Sequence, residues 1–108
     1  MAITELTRRI IEIIEAIPHA KVASYSQIAH RAGCPNGARQ VARVLHSCSK
    51  EYSLPWHRVV KANGAIALKM DGGAEQQVSL LRSEGVKVDH QMTIDMKIYA
   101  WNPEKEHE

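Results

Sequence analysis

Residues 24–47 have the sequence SYSQIAHRAGCPNGARQVARVLHS. Ser24, followed three residues later by Gln27, resembles a capping box and predicts a short helix that ends at Gly33. Asn36 is expected to cap a second helix that runs to about the end of this stretch. Two short helices joined by a tight turn that contains glycine are typical of a helix-turn-helix.

An amphipathic helix is predicted upstream, from about Glu5 to Ile17, with Thr4 as its N-cap and Pro18 as its stop. Apolar side chains recur at helical spacing in this segment and are expected to face the core. They are Ile3, Leu6, Ile10, Ile13, Ile14 and Ile17. A longer helix before the two short ones fits the same three-helix arrangement.

Asn63-Gly64 is a strong signal for a hairpin turn between Val59-Val60 and Ala65-Ile66, and such a hairpin would form a wing. After a loop, a last helix is predicted over residues 74–84. The tail over residues 86–101 alternates weakly and is expected to add a short strand or two. The predicted fold class is α+β, mainly α: a winged helix-turn-helix. Most such domains bind duplex DNA, and many regulate transcription.

The composition indicates one globular domain over residues 1–108, with 44% apolar and 24% charged residues. Roughly its last fifteen residues are expected to be peripheral or disordered. The apolar runs are too short to span a bilayer, and the N-terminal pattern is not that of a signal peptide, so a cytoplasmic location is expected. Cys34 and Cys48 show no zinc spacing, and neither a metal nor a cofactor is predicted.

Basic and acidic side chains are unevenly distributed along the chain. Residues 1–70 contain ten Lys or Arg and four Asp or Glu, whereas residues 71–108 contain four and eight. This polarity suits a protein that presents a basic face to a polyanion. A nearly neutral protein with an uneven charge distribution is the alternative.

Pro55-Trp56-His57-Arg58-Val59 resembles the Pro-Cys-His-Arg-Val active site of the O6-alkylguanine-DNA alkyltransferases, with tryptophan in the place of the cysteine. In that family a cysteine thiolate takes the alkyl group from damaged guanine, and an indole ring offers no comparable nucleophile. The resemblance therefore implies an alkyltransferase-like protein, which binds the lesion without repairing it.

Four further segments resemble the same family in the same order, from about residue 4 to residue 90. They are residues 21–29, at the opening of its helix-turn-helix; residues 38–41, at the start of its recognition helix; Gly72-Gly73, in its glycine loop; and residues 80–85, in its final helix. The spacing from Arg39 to Trp56 also equals the family's spacing from its arginine finger to its cysteine. The resemblance implies the fold of the C-terminal DNA-binding domain of the alkyltransferases.

The resemblance also implies how DNA is bound. The recognition helix would enter the minor groove, where the small side chains of Ala38 and Ala42 allow a close approach. A damaged guanine must leave the base stack before a pocket can hold it. Arg39 would fill the vacated space, and Tyr25 would press on the 3′ phosphate and help to rotate the nucleotide. A phosphate contact for Arg39 and a half-buried core position for Tyr25 are the alternatives.

Trp56 would supply an apolar wall of the lesion pocket, at the place where the transferases hold their thiol. Lys69 lies in a loop where relatives carry a basic residue near the lesion; it contacts the lesion or a phosphate, or it is solvated. Four residues are expected to support the pocket structurally rather than catalytically: Pro55, His57, Arg58 and Glu84.

The implied function is the non-enzymatic recognition of O6-alkylguanine in double-stranded DNA by nucleotide flipping, with transfer of the lesion to nucleotide excision repair proteins. The protein is expected to be a monomer, to have no membrane partner, and to associate with the nucleoid when bound to DNA. Two alternatives stay open. One is an active methyltransferase that uses Cys34 or Cys48, and the other is a winged-helix transcription regulator that reads an undamaged sequence in the major groove.

Overall fold

Six helices and two short strands are formed by the residues that the computed structural model describes, 3–68 and 72–106. In chain order they are α1 (Glu5–Ala16), β1 (Ala23–Ser24), α2 (Tyr25–Arg31), α3 (Ala38–Tyr52), a 3-10 turn (Trp56–Arg58), β2 (Val59–Val60), α4 (Ala74–Ser83), α5 (Met96–Tyr99) and α6 (Pro103–Glu106). This mainly helical architecture with a small sheet agrees with the predicted fold class. Within the described residues, no helix has the length and apolar character needed to cross a membrane.

The first two helices begin at the side chains that were predicted to cap them. Thr4 accepts a hydrogen bond from the amide of Thr7 at 3.1 Å, and Ser24 accepts one from the amide of Gln27 at 3.0 Å. The Gln27 side chain does not close a capping box, because its amide group donates to the backbone carbonyl of Trp101 at 2.9 Å. Both N-caps are therefore confirmed, and Gln27 instead connects α2 to the tail.

Helix α3 differs from its prediction at both ends. Its N-cap is Gly37 and not Asn36, and it continues to Tyr52 rather than ending near Ser47. Serine normally weakens a helix interior by competing for backbone hydrogen bonds. Here the hydroxyls of Ser47 and Ser49 donate to the carbonyl four residues earlier, which leaves the helical backbone intact.

Two apolar clusters lie on opposite sides of the β1–β2 pair. The strands are parallel, with Ala23 opposite Val59 and Ser24 opposite Val60. Because alternate strand residues face opposite ways, Ala23 and Val59 join the cluster formed with α1, α2 and α3, whereas Val60 joins the cluster formed with α4 and the tail. The small sheet therefore connects the helix-turn-helix to the C-terminal half.

The isoleucine stripe of α1 supplies much of the first cluster. Ile10, Ile14 and Ile17 are buried as predicted, and Ile11 is buried with them. Ile3 was expected to join this stripe, but it is 41% exposed, because it precedes the first turn of α1.

The Asn63-Gly64 turn forms, but the predicted hairpin does not. Lys61 N donates to the carbonyl of Ala65 at 2.9 Å, and Gly64 has a left-handed φ of 89°. Beyond the turn, Val59–Val60 pairs with β1, and Ala65 pairs with Thr93 of the tail. The two flanks of the turn thus take partners that are distant in sequence.

The C-terminal tail contains the two short helices α5 and α6 and contributes Val86, Val88, Ile94 and Trp101 to the core. Only isolated bridges, such as Val22 with Ala100, represent the predicted strands among the described residues. Trp101 is 8% exposed, and its amide donates to the carbonyl of Val22 at 2.7 Å. The expectation of a peripheral or disordered tail is therefore wrong for Trp101.

Candidate nucleic-acid interface

A pocket of about 510 Å³ lies between α3, the 3-10 turn and the start of α4. Three of the predicted lesion-binding residues line it, Tyr25, Ala42 and Trp56. Seven lining residues were not predicted as site residues: Leu45, His46, Ser49, Leu68, Gly72, Gly73 and Gln76.

Helix α3 forms one wall of this pocket. Ala42, Leu45, His46 and Ser49 follow one another at intervals of three, one and three residues, which places them on one face of the helix. On this face Ala42 is exposed and Leu45 is only partly buried. Helical spacing in the sequence predicts that these four side chains share a face, but it does not show that a pocket lies against that face.

Four basic side chains form an exposed stripe along α3. They are Arg39, Arg43, His46 and Lys50, at intervals of four, three and four residues. At 1.5 Å per residue the stripe is about 16 Å long. Arg39 is near its N-terminal end, next to the partly buried Ala38, and it does not line the pocket. A stripe of this kind can neutralise several phosphates of a nucleic acid backbone.

Tyr25 is the first residue of α2, directly after the capping residue Ser24. Its side chain is half-buried against the first cluster, which agrees with the alternative given for it, and it also lines the pocket. Burial raises the pKa of Tyr25. The phenol is therefore protonated at neutral pH and can donate a hydrogen bond.

Glu84 is the centre of a hydrogen-bond network behind the 3-10 turn. Its Oε2 atom accepts from His57 Nε2 and from Arg58 Nη2, each at 2.7 Å, and its Oε1 atom accepts from the Ala20 amide at 2.9 Å. Arg58 Nη1 also donates to the carbonyl of Ile17 at 2.8 Å. The network thus ties the turn to the connection between α1 and β1.

The charge of Glu84 persists in this largely buried position. Burial alone would raise its pKa, but the hydrogen bonds from Arg58, His57 and the Ala20 amide outweigh burial and lower the pKa to about 2. The ionised carboxylate orients His57, and the Trp56 ring packs edge-on against that imidazole at a centroid distance of 6.2 Å. Glu84 and His57 therefore stabilise the position of the Trp56 wall.

Two further residues hold the turn. Pro55 precedes it, and the Pro55 carbonyl accepts a hydrogen bond from the Arg58 amide at 3.0 Å. Gln77 of α4 is buried, and its amide group donates to the carbonyls of His57 at 3.1 Å and Val59 at 2.9 Å. The sequence had not singled out Gln77, because a lone glutamine on a helix gives no sign of this role.

The remaining predicted residues that the structure describes do not enter the pocket lining. Lys69 lies outside the described residues. Cys34 lies in the turn before α3, with its sulfur next to Gly37, and Cys48 packs against the first cluster. Across residues 3–68 and 72–106, no three His, Cys, Asp or Glu side chains come together as a metal-binding group.

The family model of the 6-O-methylguanine DNA methyltransferase DNA-binding domain matches residues 5–86. The chain is 41% identical over 95 residues to the DNA base-flipping protein of Escherichia coli (strain K12), a match that covers 88% of this chain and 73% of that protein. It is 31% identical over 108 residues to alkyltransferase-like protein 1 of Schizosaccharomyces pombe, with 95% of this chain and 100% of that protein covered.

The fold is also similar to a solved structure. This structure is the crystal structure of the S. pombe alkyltransferase-like protein in complex with damaged DNA containing O6-carboxymethylguanine. The match has a TM-score of 0.85 and 30% identity, and it covers 95% of this chain and 100% of that one. The pocket and the basic stripe are features expected of a DNA-binding protein, which is what these relatives are named or shown to be. The chain belongs to the family of 6-O-methylguanine DNA methyltransferase DNA-binding domains, as one of its alkyltransferase-like members.

Proposed function

We propose that this protein recognises O6-alkylguanine in duplex DNA, holds the flipped nucleotide in the pocket of Trp56, and does not transfer the alkyl group. The lining of the pocket carries this proposal: it contains Tyr25 and Trp56 but neither of the two cysteines of the chain. Alkyl transfer needs a thiolate next to the alkyl carbon. The relatives support lesion binding, since one is named a DNA base-flipping protein and another was solved with O6-carboxymethylguanine in its DNA.

Nucleotide flipping follows from the position of the pocket. A guanine stacked in the duplex cannot bring its O6 substituent into a cavity, so the nucleotide must rotate out of the helix. In the proposed complex α3 enters the minor groove, with Ala38 and Ala42 at the closest approach. Arg39 fills the gap in the stack, and its planar guanidinium contacts the orphaned base. The protonated Tyr25 phenol donates to the phosphate beside the flipped nucleotide.

In the proposed complex Trp56 packs against the alkyl group and does not react with it. Its indole closes the pocket with an apolar surface against which a small alkyl group is held. The hydrogen bonds of Glu84 to His57 and Arg58 keep this wall in place. Where a transferase would use such a pair to ionise its thiol, this pair has no nucleophile to activate and acts as a support.

The affinity for lesion-bearing DNA should have two components. Contacts between the basic stripe of α3 and phosphates give a salt-dependent part that is the same for damaged and undamaged DNA. Packing of the alkyl group in the pocket adds about 1–3 kcal/mol, which corresponds to roughly tenfold selectivity or more.

Fluorescence anisotropy with two duplexes that differ only in one O6-methylguanine tests this proposal. We expect the damaged duplex to bind about tenfold more tightly. Arg39→Ala should weaken binding of the damaged duplex more than binding of the undamaged duplex. It should also reduce the fluorescence of a 2-aminopurine placed next to the lesion. The matched control is Lys50→Ala on the same helix, which should weaken both duplexes equally. Equal affinity of the unmodified protein for the two duplexes contradicts the proposal.

We further propose that the monomeric protein passes the bound lesion to nucleotide excision repair. A protein that holds a lesion without removing it leaves the repair to another system, and residues 71–108, with eight Asp or Glu and four Lys or Arg, are the candidate contact segment. In a reconstituted excision reaction, adding the protein should accelerate incision of DNA that contains O6-alkylguanine. An unchanged incision rate would argue against this step.

A further inference from the structure

His46 belongs to two features at once. It lines the pocket of Trp56, and it is the third member of the exposed basic stripe on α3. The other three members of the stripe, Arg39, Arg43 and Lys50, do not line the pocket. Among the described residues, His46 is therefore the point at which the basic stripe reaches the cavity.

Among the other polar side chains of the lining, Tyr25 can donate a hydrogen bond, but the proposed complex assigns its phenol to the backbone phosphate. The Ser49 hydroxyl already donates to the carbonyl of Leu45, and Gln76 is an uncharged, exposed side chain at the start of α4. His46 makes no hydrogen bond or ion pair with any described residue. Its imidazole can therefore donate a hydrogen bond to a ligand.

Among the described residues, the charged side chains on the α3 side of the cavity are basic. None of the described lining residues is Asp or Glu, and on the same helix face Arg43 precedes His46 by three residues and Lys50 follows it by four. Neighbouring cations raise the local potential and attract an anion toward the rim of the pocket. The apolar part of the lining, formed by Ala42, Trp56 and Leu68, provides no such attraction.

We infer that His46 determines specificity for O6 substituents that end in an anionic group, such as carboxymethyl. The guanine and the first carbon of the substituent pack on the apolar wall, and the terminal carboxylate accepts a charge-assisted hydrogen bond from the imidazole at the rim. This inference rests on the proposed function, because it requires that the pocket of Trp56 holds the lesion. It adds the substituent chemistry that this pocket prefers and the residue responsible.

The experiment compares three duplexes by anisotropy. One carries O6-carboxymethylguanine, one carries O6-isobutylguanine as a neutral substituent of similar branched shape, and one is undamaged. The measured quantity is the ratio of the Kd for the isobutyl duplex to the Kd for the carboxymethyl duplex. His46→Leu should lower this ratio about tenfold, the value expected for loss of a hydrogen bond to a charged group.

Two further variants separate charge from shape and position. His46→Arg should retain the ratio, because the guanidinium also places an N–H donor at the rim. His90→Leu is the matched control: His90 is equally exposed but lies on the tail, against α4 and outside the pocket of Trp56. This variant should leave all three affinities unchanged.

The possible failures are distinguishable. If His46→Leu weakens the carboxymethyl and isobutyl duplexes by the same factor, or weakens neither, the inference about His46 is overturned while lesion recognition stands. If the unmodified protein binds the isobutyl, carboxymethyl and undamaged duplexes equally, the proposed function itself is wrong, and the inference falls with it.

Discussion

Replacement of Glu84 by glutamine removes the charge at the centre of the network and keeps the shape of the side chain. Glu84 Oε2 lies 2.7 Å from both His57 Nε2 and Arg58 Nη2, and the three side chains are only 9%, 13% and 17% exposed, respectively. The substitution leaves the Arg58 charge largely buried without its counter-ion. Breaking a buried ion pair from one side typically costs about 3–5 kcal/mol of stability.

The pKa of Glu84 gives a second estimate of the same quantity. The contacts lower this pKa from an ordinary value of 4.5 to about 2. Since one pKa unit corresponds to about 1.4 kcal/mol, the ionised carboxylate contributes about 3 kcal/mol at neutral pH. The folded-state pKa is the lower one, so this stability is complete above pH 4.5 and is lost as the pH falls toward 2.

Urea unfolding at pH 7 and pH 3, followed by tryptophan fluorescence, tests both estimates. At pH 7 Glu84→Gln should lower the free energy of unfolding by about 3 kcal/mol, and by pH 3 about 2 kcal/mol of this difference should have disappeared. Glu12→Gln is the matched control, because Glu12 pairs with Arg8 in solvent and should have little effect at either pH. A Glu84→Gln difference that is the same at both pH values, or no larger than that of Glu12→Gln, would refute the reasoning.

Two further predictions concern the C-terminal half. Gly64 has a φ of +89°, and a Cβ atom there would lie 2.1 Å from the Ile94 carbonyl oxygen, so Gly64→Ala should destabilise the protein by at least about 2 kcal/mol. Gly85→Ala is the control: Gly85 has a φ of +93°, but no atom lies within 4 Å of the added Cβ, so this variant should cost only about 1 kcal/mol. Equal urea midpoints for the two variants would contradict this account. Trp101→Ala should lower the free energy of unfolding by about 3–5 kcal/mol, because Trp101 is 8% exposed in the first cluster, whereas a loss below about 1 kcal/mol would indicate a peripheral tail.

The starts of α1 and α2 and the tight turn were predictable because their causes are local. Thr4 and Ser24 act on amides three residues away, and Asn63-Gly64 needs no distant partner to form its turn. The strand partners were not predictable in this way. Val59–Val60 pairs with Ala23–Ser24 and not across the turn, because burial between two clusters decides which segment a short strand meets.

In the candidate site, too, some residues could be predicted from local sequence and others only from the packing of distant segments. The motif around Trp56 and the spacing to Arg39 pointed to the family from the sequence. His46 and Gln77 had no such signal. On a helix, a histidine facing solvent and one facing a pocket share the same sequence pattern, and only the opposite wall, formed at the start of α4, distinguishes them. Gln77 likewise gains its role only when α4 packs against the turn.

The most direct test of lesion recognition without repair is the intact mass of the protein after incubation with an excess of O6-methylguanine duplex, at concentrations where anisotropy shows the complex to be formed. We expect the mass of the protein to be unchanged and the modified guanine to be recovered intact from the DNA. A protein heavier by one methyl group would show that Cys34 or Cys48 accepts the alkyl group, and it would contradict the role assigned to Trp56.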